Sequence, residues 1–477
     1  MLLGIFVGAT PGLTATMAVA LIVPITFYMP PTTGLAMIIG VSFTAIFAGD
    51  IPATYLRIPG TPASAAATLD GYAMSRQGKG NFALTMDVLC SSLGGLVGVL
   101  SLMFLAPQLA EFALKFSDYE YFWLALFGLS MSAVVSQGTL IYGVLIAVFG
   151  MGLSTVGLDM VTGEQRYTMG SLQLMDGLTL IPVMIGLFGM SEVIRFFRDQ
   201  SGTDQPTREH AQKLPTRLPV VTSLHELKKN KGTLLQSSFL GTLIGALPGA
   251  GADIAAWAAY GLSKRRSRNG AAFGTGIAEG VIAPTSANNA AVAGAWIPAL
   301  VFGIPGDAVT AIVLGALMMY EIRPGPSLFT EGGEQMQQLF GIALATQVLL
   351  IPCGLLGIRL FSHVASLNRR ILMTAVVAFS IVGAYTIRES LFDIYLMFLF
   401  GLLGAFLDRR KVPLAPLILG FILGPVVEEN LRTGLIKSQG DWIPFVTRPI
   451  SFGLMVLLVL TLTGPWWGRF FRQNPSH

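Results

Sequence analysis

The residues best suited to chemistry in this chain sit in two short phrases, each of which occurs twice. Gly8-Ala9-Thr10-Pro11-Gly12 returns as Gly245-Ala246-Leu247-Pro248-Gly249, and Ile58-Pro59-Gly60-Thr61 returns as Ile304-Pro305-Gly306-Asp307. Pro removes a backbone donor and cannot continue a helix, so each phrase predicts a break. All four lie in apolar stretches, where freed backbone groups persist only if protein or a cavity surrounds them. A half-helix that restarts after such a break presents free N–H groups and a partial positive charge. It can hold a carboxylate without a buried Lys or Arg. Carbonyls freed at the other end can hold Na⁺.

The candidate binding residues follow from that picture. They are Pro11, Gly12, Thr14 and Thr16 at the first break, and Pro59, Gly60 and Thr61 at its companion. In the second half they are Pro248, Gly249, Gly251 and Asp253, then Pro305, Gly306 and Asp307. Glu279–Asn289 is the most polar segment in an apolar context, and its Ser286, Asn288 and Asn289, with Thr285, offer hydroxyl and amide groups to a carboxylate or cation. A Na⁺ ion is expected near Asn288 and Asp307. The plainer readings are that a single Pro-Gly only kinks a helix, and that small polar residues only pack helices together. Asp50, Arg57, Asp70 and Glu279 also lie at apparent membrane depth. For these the plainer readings are an Asp50–Arg57 pair and an interfacial Arg57 and Asp70.

The elements that position these residues must be membrane helices. Of the 477 residues, 53% are hydrophobic and 12% charged, and the mean hydropathy is +0.67. A bilayer span takes about 20 apolar residues, so the chain accommodates roughly ten to twelve. The fold class is all-α and polytopic. The net charge of +4 reflects basic residues gathered in short loops. Cys90 and Cys353 fall in apolar runs and read as small hydrophobes. No nucleic-acid role and no cleavable leader are expected.

Loop charge sets the topology, since Lys and Arg mark the cytoplasmic side. The longest polar stretch, residues 195–231, is placed in the cytoplasm as a linker between a first membrane repeat, 1–194, and a second, 232–477, which ends in an extra helix. Loops carrying Arg76 and Lys79, Arg369 and Arg370, and Asp408-Arg409-Arg410-Lys411 fall inside. Glu111–Glu120, the Asp159–Asp176 loop, the Glu321–Glu334 loop and Glu428–Asp441 fall outside. Basic clusters flank Gly232–Ser263 at both ends, which predicts a re-entrant hairpin folding back at Leu247–Gly251. The two repeats then run in opposite senses through the membrane, an arrangement of secondary transporters that alternate access by moving one repeat-derived unit against the other.

Absences narrow the class. There is no Gly-x-x-x-x-Gly-Lys-[Ser/Thr] loop for ATP, and His210, His225, His363 and His477 form no metal cluster. No nucleophile–base constellation stands out, so no enzyme is expected.

At these residues the chain resembles the large membrane subunit of the tripartite tricarboxylate transporters, the TctA family. The resemblance rests on Gly8–Gly12 with Leu13; Ile58-Pro59-Gly60; Leu69-Asp70-Gly71-Tyr72 leading to Arg76-Gln77-Gly78; Gly245–Gly251; Glu279-Gly280 with Pro284 and Ser286-Ala287-Asn288-Asn289; and Gly303-Ile304-Pro305-Gly306. It implies a multi-pass permease of the bacterial inner membrane that imports citrate-like di- and tricarboxylates with no cofactor beyond a coupling ion, Na⁺ or H⁺. It also implies two partners, a small TctB-like membrane subunit and a periplasmic TctC-like binding protein. An ion channel or passive pore, and a non-transporting scaffold subunit, are the competing readings. Two departures from the family stand out: ten residues precede Pro11, which suggests a truncated first hairpin, and a charged pair, Asp50 and Arg57, precedes the first Ile-Pro-Gly.

Overall fold

In a computed structural model, residues 1–10, 13–135, 140–159, 161–198, 218–330, 332–365 and 369–472 are described. The chain is an all-α, multi-pass membrane protein. Among the described residues, β-structure is limited to Gly157–Leu158 paired antiparallel with Gln165–Arg166. Among the described residues, six helical segments are long and apolar enough to cross a bilayer: Pro31–Leu56, Gly80–Ala113, Leu180–Arg198, Gly333–Phe361, Leu391–Arg409 and Leu414–Lys437. Ala15–Thr26, Leu140–Ser154, Ala308–Met319, Met373–Thr386 and Pro449–Gly464 are shorter apolar helices. Much of the predicted linker, residues 199–217, lies outside the described residues, as do Pro11 and Gly12.

The four phrases break helices where expected. Leu2–Ala9 is followed by Ala15–Thr26, and the rod Pro31–Ala48, continued by Asp50–Leu56, is followed by Ser64–Arg76. In the second half Lys231–Gly245 is followed by Gly251–Arg266, and Ala278–Phe302 by Ala308–Met319. Lys231–Gly245 and Gly251–Arg266 pack on each other. At 1.5 Å per residue each is roughly 23 Å long, short of a bilayer core of about 30 Å.

Small residues bring these helices together. A Cβ placed on Gly8 would lie 2.2 Å from the Ala45 carbonyl oxygen, and one on Gly4 would lie 2.8 Å from that of Val41. A Cβ on Gly245 would lie 2.2 Å from the Ala291 oxygen, and one on Gly241 2.3 Å from that of Ala287. The Gly-x-x-x-Gly spacing therefore gives each broken helix backbone-to-backbone contact with its neighbour, as membrane helices use where water supplies no driving force. The same device joins the halves: Gly94 and Gly98 on Gly80–Ala113 abut the Ser286 and Ala290 carbonyls on Ala278–Phe302. In return Gly333–Ala365 packs on Pro31–Ala48 and on Gly80–Ala113. Around this core, Asp118–Val135 and Leu140–Ser154 pack with Leu414–Lys437, while Leu180–Arg198 packs with Leu391–Arg409.

Loops that charge assigned to one side meet one another. Asp159 pairs with Arg166 and with Arg432 at 2.8 Å, and Lys437 donates to Asp118 at 2.5 Å, so three outside stretches converge. Gln77 donates to the Thr275 carbonyl at 2.8 Å, and Arg195 lies 3.7 Å from Asp408, joining inside stretches.

One of the plainer readings is corrected. Asp50 and Arg57 do not pair: Arg57 is exposed, with its guanidinium 5.6 Å from the centre of the Tyr72 ring, whereas Asp50 is buried. Asp70 is fully buried. It accepts from the Gly274, Gly276 and Ile277 N–H groups at 2.8–3.0 Å and from the Tyr260 hydroxyl at 2.9 Å. Its carboxylate also occupies the space that a Cβ on Gly280 would need, 2.0 Å away. The Leu69-Asp70-Gly71 and Glu279-Gly280 motifs thus form one clamp holding Ser64–Arg76 to the loop before Ala278–Phe302.

Candidate functional site: two facing sets of helix breaks

In each half the two repeated phrases touch. The Gly60 N–H donates to the Gly49 carbonyl at 3.1 Å, and a Cβ on Gly60 would lie 2.8 Å from the Gly8 oxygen. In the second half the Gly249 N–H donates to the Gly306 carbonyl at 2.8 Å, and a Cβ on Gly306 would lie 2.9 Å from the Gly245 oxygen. Glycine is required here because backbone meets backbone. Gly249 also takes φ +79°, and its Cα faces Ser132 of Asp118–Val135.

The two Ile-Pro-Gly breaks are built alike. Arg57 and Gly303 end their helices in the left-handed conformation, at φ 57° and 68°. The Arg57 N–H donates to the Ala53 carbonyl and that of Ile58 to Pro52; the Gly303 N–H donates to Ala299 and that of Ile304 to Pro298. After the break, the Ser64 N–H donates to Thr61 Oγ1 at 3.2 Å, and their hydroxyls lie 2.7 Å apart. Correspondingly, the Thr310 N–H and hydroxyl both donate to Asp307 Oδ1 at 2.8 Å, while the Asp307 N–H donates to Thr310 Oγ1 at 2.9 Å. Asp307 is the N-cap of Ala308–Met319, with a capping box; Thr61 makes the corresponding bond to the residue three on, but from the turn before Ala63, the N-cap of Ser64–Arg76. Neither Ser64 nor Thr310 was singled out from the sequence, although a cap with a hydroxyl three residues on is a readable signal.

The Pro-Gly breaks match as well. Thr14 caps Ala15–Thr26 by accepting from the Met17 N–H at 3.2 Å. Counted from Pro248, its counterpart is Gly251 (φ 63°), whose Cβ would lie 3.2 Å from the Asp307 Cβ. Two residues further, Thr16 corresponds to Asp253. The Asp253 carboxylate lies close to Asp307 and near the Ala63 N–H, at the start of Ser64–Arg76. Asp253 is accessible and Asp307 half-buried. The second-half tips thus bring two carboxylates together and set one of them on the N-terminus of a first-half helix.

The polar segment around Asn288 is placed differently. Thr285 and Ser286 donate to their own helix, to the Val281 and Ile282 carbonyls at 2.8 and 2.6 Å, and Ser286 is packed under Gly94. Asn288 and Asn289 are buried at 2% and 0% exposure, and Asn288 Oδ1 and both Asn289 polar atoms have no hydrogen-bond partner. Asn288 lies two helical turns, roughly 10 Å, from Ala295, against which Gly306 packs. The amides form a buried polar layer of Ala278–Phe302.

Sequence reasoning passed over Asp87, which lies mid-run in the apolar helix Gly80–Ala113. It is 2% exposed, its Oδ1 accepts from the Ser91 hydroxyl at 3.2 Å, and its carboxyl faces Asp50. The signal was present: an acidic residue within a membrane span is a functional candidate by default.

A model of the Tripartite tricarboxylate transporter TctA family matches residues 1–419. An uncharacterized 52.8 kDa protein from the TAR-I ttuC' 3' region of Agrobacterium vitis is 36% identical over 456 residues, covering 96% of this chain and 89% of the relative. A second protein, from the TAR-II ttuC' 3' region of the same organism, is 40% identical over 217 residues, covering 46% of this chain and 90% of its own. No solved structure matches the chain. A family match across most of the chain, a relative similar over nearly its whole length and the paired helix breaks place this multi-pass membrane protein in the TctA family of tripartite tricarboxylate transporters.

Proposed function

We infer that the chain is the permease subunit of an ion-gradient-driven importer of di- or tricarboxylates in a bacterial inner membrane. The observation that carries this reading is the meeting of the two sets of breaks, with the Asp253 carboxylate placed near the Ala63 N–H. An N-terminus that receives an internal carboxylate is chemically suited to a substrate carboxylate. The first-half tips, with Thr14, Thr16 and Thr61 and no acidic side chain among them, favour an anion. The second-half pair, Asp253 and Asp307, favours a cation such as Na⁺, which would neutralise the repulsion between them. Asp253 then holds the anion seat in the substrate-free protein, and cation binding draws it back. Substrate delivery by a periplasmic binding protein, and assembly with a small membrane subunit, follow from the family.

The test is uptake of labelled citrate and related acids into proteoliposomes, with and without a Na⁺ gradient and with the cognate binding protein. Saturable uptake that responds to the gradient supports the reading. Unsaturable currents would mark a pore, and ATP-dependent uptake indifferent to ion gradients would overturn the coupling.

A further inference from the structure

Behind the first Ile-Pro-Gly break lies a pair of acids that the binding tips do not use. Asp50 is 1% exposed and Asp87 2%. Asp50 sits where Pro31–Ala48 passes into Asp50–Leu56, one residue after Gly49, whose carbonyl receives the Gly60 N–H. Its carboxyl lies beside the Ser64 hydroxyl and the Asp87 carboxyl. Neither Asp50 oxygen, nor Asp87 Oδ2, has an aligned hydrogen-bond partner.

The surroundings offer no counter-charge. Ala9, Phe47, Ile51, Leu84, Val88 and Leu350 form one apolar cluster over this region; Met1 packs against it, with its amine beside Gly40, ten residues and roughly 15 Å along the helix from Asp50. The Cys90 thiol is the titratable group that Asp87 feels besides Asp50, and Thr285 beside Cys90 is neutral. Ser64 and Ser91 are neutral as well. Among the described residues, neither acid enters an ion pair.

We propose that Asp50 and Asp87 form a proton-binding site, in which the two carboxyls share one proton and release it when the first break moves. Two facing carboxylates without cations cannot both stay ionised in an apolar setting, whereas a carboxylic acid donating to a carboxylate satisfies both and carries a single charge. Loss of that proton leaves two unscreened anions one residue from the Gly49–Gly60 contact, which favours a form in which water reaches them. Proton binding is thereby tied to the position of the Thr61 tip. The link to transport rests on the permease reading; proton binding itself does not.

The experiment is infrared spectroscopy of the full chain in lipid nanodiscs with carboxyl-labelled Asp, titrated with pH. The expected result is a protonated-carboxyl C=O band at neutral pH, lost with release of about one proton per chain as the pH is raised. The band should shift in Asp50→Asn and in Asp87→Asn, vanish in the Asp50→Asn/Asp87→Asn double variant, and survive in the Asp253→Asn/Asp307→Asn double variant. A wild-type protein without the band at neutral pH overturns the proposal even if no variant folds. So does a band removed by NaCl at constant pH, or one lost in the Asp253→Asn/Asp307→Asn protein. Once uptake of any carboxylate is established, Asp87→Asn should make accumulation indifferent to an imposed pH gradient. A failure to find uptake leaves the infrared result standing, so the two readings fail separately.

Discussion

The break at Ile58-Pro59-Gly60-Thr61 and the break at Ile304-Pro305-Gly306-Asp307 share a backbone and differ in charge. Both helices end in a left-handed residue with matching carbonyl partners, and in both the residue after Ile-Pro-Gly accepts from the N–H three residues on, beside a hydroxyl there. Thr61 does this in the turn before its helix and Asp307 as the N-cap itself, and Thr16 in the first half answers to Asp253 in the second. Since a hydroxyl or a carboxylate caps a helix comparably well, the fold does not require this difference. Charge is the quantity the two halves are free to vary, and they vary it at the point where they meet. A symmetric frame has thereby been given an uncharged face and an acidic one, each suited to a different ligand.

That comparison can be broken in graded ways. The largest effect should come from removing what the halves share. Gly8→Val and Gly245→Val each drive a side chain into a backbone carbonyl at 2.2 Å, so both should cost about 3 kcal/mol or more. Size-exclusion profiles and melting curves would show it, and tolerance of either would contradict the seam. Next comes the charge difference itself. Thr61→Asp makes the first break acidic like the second and should lower carboxylate uptake roughly tenfold or more through repulsion, with little loss of stability. An unaffected uptake would separate Thr61 from the substrate path.

Smaller still is the cap. Asp307→Ala should destabilise by about 1 kcal/mol, whereas Asp307→Thr, which copies the first half, should restore most of it. Thermal unfolding of the two variants measures the contrast. The smallest effect is expected at the outer end. Burial opposes ionisation of Asp159, but the Thr162 and Val161 N–H donors and the Arg432 and Arg166 guanidinium groups outweigh it and hold its carboxyl well below the usual range. A folded value below the unfolded one, about 3.9, means that this support is present above about pH 4 and is lost as pH falls further. Melting temperatures should therefore lose a small acid-dependent component in Asp159→Asn, while the variant's behaviour near neutral pH shifts only modestly.

What the sequence disclosed follows from periodicity and position along one chain. Apolar runs revealed the helices, Pro-Gly pairs revealed the breaks, and basic loops sorted the ends, as the contacts of Arg432 with Asp159 and of Gln77 with Thr275 agree. Partnership across the fold was hidden. Asp70 looked like a membrane-depth charge because its three N–H donors come from a loop two hundred residues away. Ser286 reads as a ligand candidate by type, and nothing in the sequence says that its hydroxyl bonds to Ile282 or that Gly94 presses on its carbonyl. Asp87 was legible by type alone, but its meaning depends on Asp50, brought beside it only by folding.

The interleaving of Gly80–Ala113 with Ala278–Phe302, and of Gly333–Ala365 with Pro31–Ala48, carries a mechanical consequence. Each half grips the other, the first pair backbone to backbone and the second with side chains such as Phe47 seated on Gly354, like the fingers of two clasped hands. Such a clasp cannot slide. If this protein opens alternately to its two sides, the halves do not rock past one another as wholes. The interlocked centre instead moves as one plate against the outer groups of helices, Asp118–Ser154 with Leu414–Lys437 on one flank and Leu180–Arg198 with Leu391–Arg409 on the other.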